Sequence, residues 1–277
     1  GVVPYFQSCF AIDGVMIDMG HALPLSLKEQ LLERVRALDP HFALWDENLD
    51  GIDHYRDFDF GYHALSGNLF TFVARGREGI EELVELLQGQ VFPGKMFGAP
   101  ENHNTRRTAA VGDRSWVRAM VGLALWMPCL MPNILNGLEL LEVAPLNTGL
   151  GFTAEEAAAY AENRPRWSHD APTLGLFSRA RFSWDGAHMV EEIRRHLAAR
   201  RDPEILALWR RAVPHWKYDV HNPAILAFCT AEEEGPNIVV IINLDGDAPQ
   251  EGRIFTTQGG WILAPSWAGE GRFRLDP

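Results

Sequence analysis

Ile12-Asp-Gly-Val-Met-Ile-Asp-Met-Gly-His-Ala-Leu-Pro24 is the stretch on which the fold turns. Gly14 to Asp18 is short, apolar and β-prone, so it reads as a strand that ends on a carboxylate. The loop from Met19 to Pro24 leads into a helix, Leu25 to Leu38, with Leu27, Leu31, Leu32 and Val35 on one face. Strand, polar loop and amphipathic helix make one βα unit, and in parallel α/β folds the groups that do chemistry sit where such strands end.

The pattern repeats downstream. His41-Phe-Ala-Leu-Trp-Asp-Glu-Asn48 is an apolar run ending in Asp46 and Glu47. Ser66 to Phe72 and Gly79 to Gln88 read as helices. Met96 to Pro100 then leads into the polar cluster Glu101-Asn-His-Asn-Thr-Arg-Arg107, and a helix is expected over Ser115 to Leu123. Leu125 to Leu141 holds a further apolar run followed by Asn136-Gly-Leu-Glu139. Ala144 to Trp184 is a long connection rich in Pro, Trp and Asn, a length that usually means function or insertion. Helices are expected again over Met189 to Ala199 and Glu204 to Val213. From about Trp216 the pattern changes to β-branched runs with Gly and Pro at turns: Ala224 to Thr230, Asn237 to Leu244 and Gly260 to Ala264.

Composition narrows the classes. At 277 residues with 47% hydrophobic and 22% charged side chains the chain is an ordinary folding sequence. Its net charge of −12 argues against a nucleic-acid backbone or an anionic membrane as partner. The apolar run from Met120 to Ile134 contains Pro128 and Pro132 and is shorter than the roughly 20 residues of a spanning helix. No basic leader stands at Gly1, which slightly favours the cytoplasm. Cys9, Cys129 and Cys229 lack disulfide or zinc spacing and read as buried thiols.

Asp18, Glu47 and the pair His103 and Asn104 therefore stand at the ends of successive strands, on one face of a parallel sheet. A single such carboxylate is commonly a loop or helix cap; three polar strand ends in succession favour a site. An Asp and a Glu on neighbouring strands, which lie about 4.8 Å apart, suit a retaining glycosidase, whose carboxyls are about 5 to 5.5 Å apart.

In this order the motifs resemble those of the α-amylase superfamily of glycoside hydrolases and transglycosidases, family 13. Asp13-Gly-Val-Met-Ile-Asp18 is similar to the strand-four motif that carries the nucleophile. Leu44-Trp-Asp-Glu47 is similar to the strand-five motif with the acid/base, and Glu101-Asn-His-Asn104 to the strand-seven Asn-His-Asp motif. Pro132-Asn-Ile-Leu-Asn-Gly-Leu-Glu139 resembles the strand-eight segment.

The resemblance implies a (β/α)8 TIM barrel, here strands four to eight, over residues 1–215, and a small all-β C-terminal sandwich over 216–277. It implies an α-glucan or maltooligosaccharide substrate, catalytic Asp18, Glu47 and Asn104, and substrate-binding His21, His103 and Arg107. No cofactor and no metal are expected, because the family's calcium ligands come mostly from the part before strand four.

Met16 stands where the family has arginine, and Asn104 where it has aspartate. One positive and one negative group are absent together, which leaves the local charge balanced. Arg106 or Arg107 is a candidate replacement cation, or else a loop anchor. Trp45 and Trp126 read as packing, whereas the loop with Trp167, His169 and Trp184 is the better place for sugar stacking. Strands one to three would come from a missing N-terminal half or a second chain. Alone, the chain would expose two strand edges and one core face, and is expected to be poorly soluble or oligomeric.

Overall fold

The computed structural model describes residues 1–48, 61–65, 69–87, 95–127, 130–143, 154–155, 158, 184, 186, 188–210, 215–217, 219–220, 222–230, 239–245, 247–255 and 270–275. The first half is a parallel sheet of five strands in chain order: β1 (Gly14–Ile17), β2 (Ala43–Asp46), β3 (Ala64–Leu65), β4 (Lys95–Gly98) and β5 (Leu130–Pro132). Strands β1 and β2 pair with Ile17 opposite Asp46, so Asp18 and Glu47 leave the sheet side by side. Every pairing in this sheet is parallel, and the order is that of a barrel wall rather than a doubly wound sheet. Among the described residues β1 and β5 do not pair with each other, so the wall is open.

Helices lie along one side of this wall. They are α1 (Val2–Phe10), α2 (Leu25–Arg36), α3 (Leu69–Ala74), α4 (Gly76–Leu87), α5 (Thr108–Val111) and α6 (Arg114–Trp126). Val15, Ile17 and Leu44 turn toward α2 and pack with Val35, Leu31 and Leu32, while Met96 and Leu130 turn toward α3, α4 and α6. The alternation of a strand then puts Met16, Trp45, Phe97 and Met131 on the opposite face. There Trp45 and Phe97 make a tilted ring contact at 5.3 Å between centroids, and Met16 is 44% exposed.

Two helices show why the sequence folds locally as it does. Asp113 caps α6 by accepting the Trp116 N–H at 2.9 Å, and six apolar residues from Val117 to Leu125 are buried around the helix, besides Ala119. A helix apolar on nearly every side must be enclosed. It lies between β5, α7 (Val190–Ala199) and a later strand over Val239–Asn243. In α2 the inward stripe is Lys28, Leu31, Leu32 and Val35, the i, i+3, i+4, i+7 spacing of one helix face. Leu27, expected on that face, is 48% exposed, and Lys28 is buried in its place.

After α8 (Pro203–Arg210) the chain is antiparallel: β6 (His215–Lys217), β8 (Ile225–Thr230) and β9 (Val239–Asn243) form one three-stranded sheet. β7 (Asp219–Val220), β10 (Gln250–Phe255) and β11 (Glu270–Leu275) form another. The expected strand over Gly260 to Ala264 and nearly all of the connection from Ala144 to Trp184 lie outside the described residues. Cys9 is exposed rather than buried, since α1 buries none of its residues; Cys129 and the Cys229 side chain are outside the description.

Buried residues from both sides of the expected division at residue 216 share one cluster. Leu226, Phe228 and Ile242 belong to the same buried cluster as Leu83, Met96, Met120, Leu123 and Leu130. Phe228→Ala, at a fully buried position, is expected to cost about 3–5 kcal/mol. Urea unfolding followed by far-UV circular dichroism and by tryptophan fluorescence should shift as one transition; two separate transitions, with only the later one moved, would mean that the β-rich part is independent.

Candidate active site

The loop after β1 is built around residues with unusual backbone needs. Met19 adopts a left-handed conformation, φ 49° and ψ 37°, and a 3₁₀ turn follows over Gly20–Ala22. This turn lays the loop across the end of β2. The Met19 N–H donates to Glu47 Oε2 at 3.1 Å, and His21 Nδ1 lies 3.1 Å from the Glu47 carbonyl oxygen. Gly20 is buried against Asp46: a Cβ there would fall 1.1 Å from Asp46 Oδ1, so only glycine fits.

Glu47 is 4% exposed, whereas Asp18 is on the surface of the wall's end. Burial pushes the Glu47 carboxyl above its ordinary 4.5, and the Met19 amide pulls it back. A hydrogen bond to Asp18 and the Asp18 charge raise it again, and His103 lowers it. The structure thus brings Asp18, Glu47 and His103 into one electrostatic neighbourhood. A buried carboxyl raised above its ordinary value beside one that is open to solvent is the environment that divides labour between an acid and a nucleophile.

The β4 loop presents His103 and Asn104, both half-buried, on a tight turn. The Asn104 N–H donates to Asn102 Oδ1 at 2.9 Å and the Asn102 N–H to Thr105 Oγ1 at 3.0 Å. The base of this loop is an ion pair. Arg107 Nη1 donates to Glu101 Oε1 at 2.6 Å and to the Asn136 carbonyl at 3.1 Å, and Glu101 also accepts the Thr108 N–H. Both side chains are 1% exposed. Arg107, expected to bind substrate, has its guanidinium buried in the protein, where it ties the β4 loop to the segment after β5. Arg106 is likewise held, donating to the Ala110 carbonyl at 2.8 Å.

Other aromatic positions sort themselves. Trp126 Nε1 donates to His196 Nδ1 at 2.9 Å across α6 and α7, which is packing. Trp184 is 59% exposed, and Trp167 and His169 lie outside the described residues. The alternation of β2 would have revealed one further pair: Leu44 and Asp46 share its outward face, Trp45 and Glu47 the other. Asp46 is wholly buried, and Lys28 Nζ meets its Oδ2 at 3.1 Å.

No protein-family model and no curated sequence matches the chain, but solved structures do. An Anoxybacillus α-amylase superposes with a TM-score of 0.63 at 13% identity, over 99% of this chain and 59% of its own. This is the α-amylase fold. The acarbose complex of the Geobacillus thermoleovorans α-amylase gives 0.60 at 14%, over 99% and 60%. The Nostoc punctiforme debranching enzyme, soaked with acarbose, gives 0.63 at 14%, over 99% and 57%. The chain spans less than two thirds of each of these α-amylase-fold proteins. Among the described residues no helix is long and apolar enough to cross a membrane.

Two outcomes follow from the buried charges of this site. Arg107→Met leaves Glu101 buried without its cation and should cost about 3–5 kcal/mol in urea unfolding; the double variant with Glu101→Leu should recover most of that loss. Glu47 binds its proton more tightly folded than unfolded, so its drag on stability is absent below 4.5 and grows as pH rises through its raised value. Glu47→Gln should therefore raise Tm at neutral pH and not at pH 4, and a gain equal at both would show that Glu47 is not held protonated by the fold.

Proposed function

We propose that this protein acts on α-glucans or maltooligosaccharides as a retaining glycoside hydrolase or glucanotransferase. The observation that carries the reading is the buried Glu47, its carboxyl pushed above the ordinary value, beside Asp18 at the ends of two adjacent parallel strands. The α-amylase fold and the two-carboxyl chemistry of glycoside hydrolysis support it.

In this reading the Asp18 carboxylate attacks the anomeric carbon as the glycosidic C–O bond breaks, and Glu47 gives its proton to the departing oxygen. Glu47, now a carboxylate, then takes a proton from water or a sugar hydroxyl as that oxygen attacks the same carbon and releases Asp18. His103 and Asn104 grip the ring hydroxyls, and Asn104 can both donate and accept. His21 lines the acceptor side. Strands one to three of the barrel come from a preceding segment or a second chain, which would cover the open face at Met16, Trp45 and Phe97. The strands from β6 onward form the small C-terminal sandwich, with the division near residue 216.

The specific alternative is a carbohydrate-binding relative without turnover, favoured by Met16 and Asn104 in place of charged groups. With the complete protein and a fluoride-activated maltosyl donor, intact mass should show a glycosyl adduct that Asp18→Asn abolishes. Glu47→Gln should lower kcat on maltodextrins about 10²–10⁴-fold, and the wild-type rate should fall as pH rises through the elevated Glu47 value. Calorimetric binding of maltodextrins with neither adduct nor turnover would replace this reading with the binding one.

A further inference from the structure

Lys28 is the one lysine of α2, sits at an inward position of its stripe, and is 5% exposed. Its Nζ lies 3.1 Å from Asp46 Oδ2 and 5.7 Å from the centre of the Tyr62 ring. A buried lysine is costly unless its charge is matched, and a hydrophobic residue at this position would serve α2 equally well. The pair therefore asks for a reason other than stability.

Its placement supplies one. Asp46 immediately precedes Glu47, and strand alternation sends the two side chains to opposite sides of the wall. The Asp46 carboxylate passes directly against Gly20, at the centre of the loop that carries Asp18 and Met19. The loop is thus held at its N-terminal side by the Met19 N–H on Glu47, at His21 by the Glu47 carbonyl, and from beneath by Asp46. Lys28 is the cation that keeps Asp46 in that position and anchors it to the helix the loop leads into.

We propose that Lys28, through its ion pair with Asp46, is a positioning residue that fixes the β1–α2 loop against Glu47 and so sets the relation of Asp18 to the acid/base. The assignment of Glu47 as acid/base rests on the function proposed above; the mechanical link from Lys28 to the Met19 N–H does not. Two effects of removing Lys28 act in the same direction. Asp46 keeps its carboxylate one residue from Glu47 but loses the cation at 3.1 Å, and a loosened loop gives up the Met19 hydrogen bond that favours the Glu47 carboxylate. His103, on the β4 loop, is untouched, whereas Asp18 and His21 ride on the loosened loop, and drawing Asp18 away lowers Glu47 and works against those two effects.

The test is the titration of the Glu47 carboxyl by carbon-13 NMR, together with the pH–rate profile on maltodextrin. Lys28→Met is expected to shift the Glu47 titration and the alkaline limb of the profile together, away from their wild-type positions. Lys28→Arg should leave both near wild type, and Lys28→Met with Asp46→Leu should remove the electrostatic part of the shift. Should Lys28→Met not fold, the double variant keeps the test open: retention of the wild-type titration and profile there would overturn the proposal. So would an unshifted Glu47 in folded Lys28→Met. If the wild-type protein turns over no glucan yet Glu47 still shifts in Lys28→Met, the positioning role stands and the glycosidase reading falls.

Discussion

Two ion pairs, Lys28 with Asp46 and Arg107 with Glu101, lie behind the candidate site with all four side chains 6% exposed or less. Charges so placed tolerate little displacement, because separating either pair leaves a bare ion in a medium that solvates it poorly. One pair ties α2 to the end of β2; the other closes the loop after β4, whose Arg107 also donates to the Asn136 carbonyl after β5. Between them stand Asp18, Glu47, His103 and Asn104. The loops that carry the chemistry are therefore held from below by charge matching, while the strands hold their spacing from the side.

The same wall has two unequal faces. On one, apolar residues from β1, β2, β4 and β5 meet helices and join clusters that run on into the β-rich part through Phe228 and Ile242. On the other, Met16 is open to solvent and Trp45 leans on Phe97 for cover. Helix α1 repeats the asymmetry, with Tyr5, Phe6 and Phe10 in a line of tilted ring contacts and all three exposed. Among the described residues the core is enclosed on one side of the wall only, and the chain spans 57–60% of the three α-amylase-fold chains it superposes on.

Much of this was legible in the sequence, and the exceptions have physical causes. Strands β1, β2 and β4 were readable because apolar runs end there in polar clusters, and the helices from Leu25, Gly79 and Ser115 because their apolar residues recur at helical spacing. Strand β3 is only Ala64 and Leu65, too short to show any period. Strands β10 and β11, Gln-Glu-Gly-Arg-Ile-Phe and Glu-Gly-Arg-Phe-Arg-Leu, carry too many charges to read as buried runs. Lys28 was missed because a charged side chain is assigned to solvent unless its counter-ion is seen, and Asp46 lies in another element; for Arg107 the sequence left a loop-anchoring role beside substrate binding, and its counter-ion Glu101 stands six residues away in the same loop. Asp46 could have been found, since period two separates it from Glu47.

The two departures from the family pattern weigh differently once the neighbourhood of Glu47 is known. In the resembled pattern a third aspartate adds negative charge that helps the acid keep its proton; here that position is the neutral Asn104. The Glu47 carboxyl is nonetheless held above its ordinary value, first by burial and then by Asp18. That rise has causes other than position 104, so under the function proposed above Asn104 would give up a charged grip on sugar hydroxyls rather than the acid itself. Met16 is the heavier loss, because Asp18 has no arginine two residues before it and both nearby arginines of the β4 loop are committed elsewhere. If the site is impaired, the impairment falls on the nucleophile's side of the reaction, where a cation from the part that covers Met16 would have to make it good.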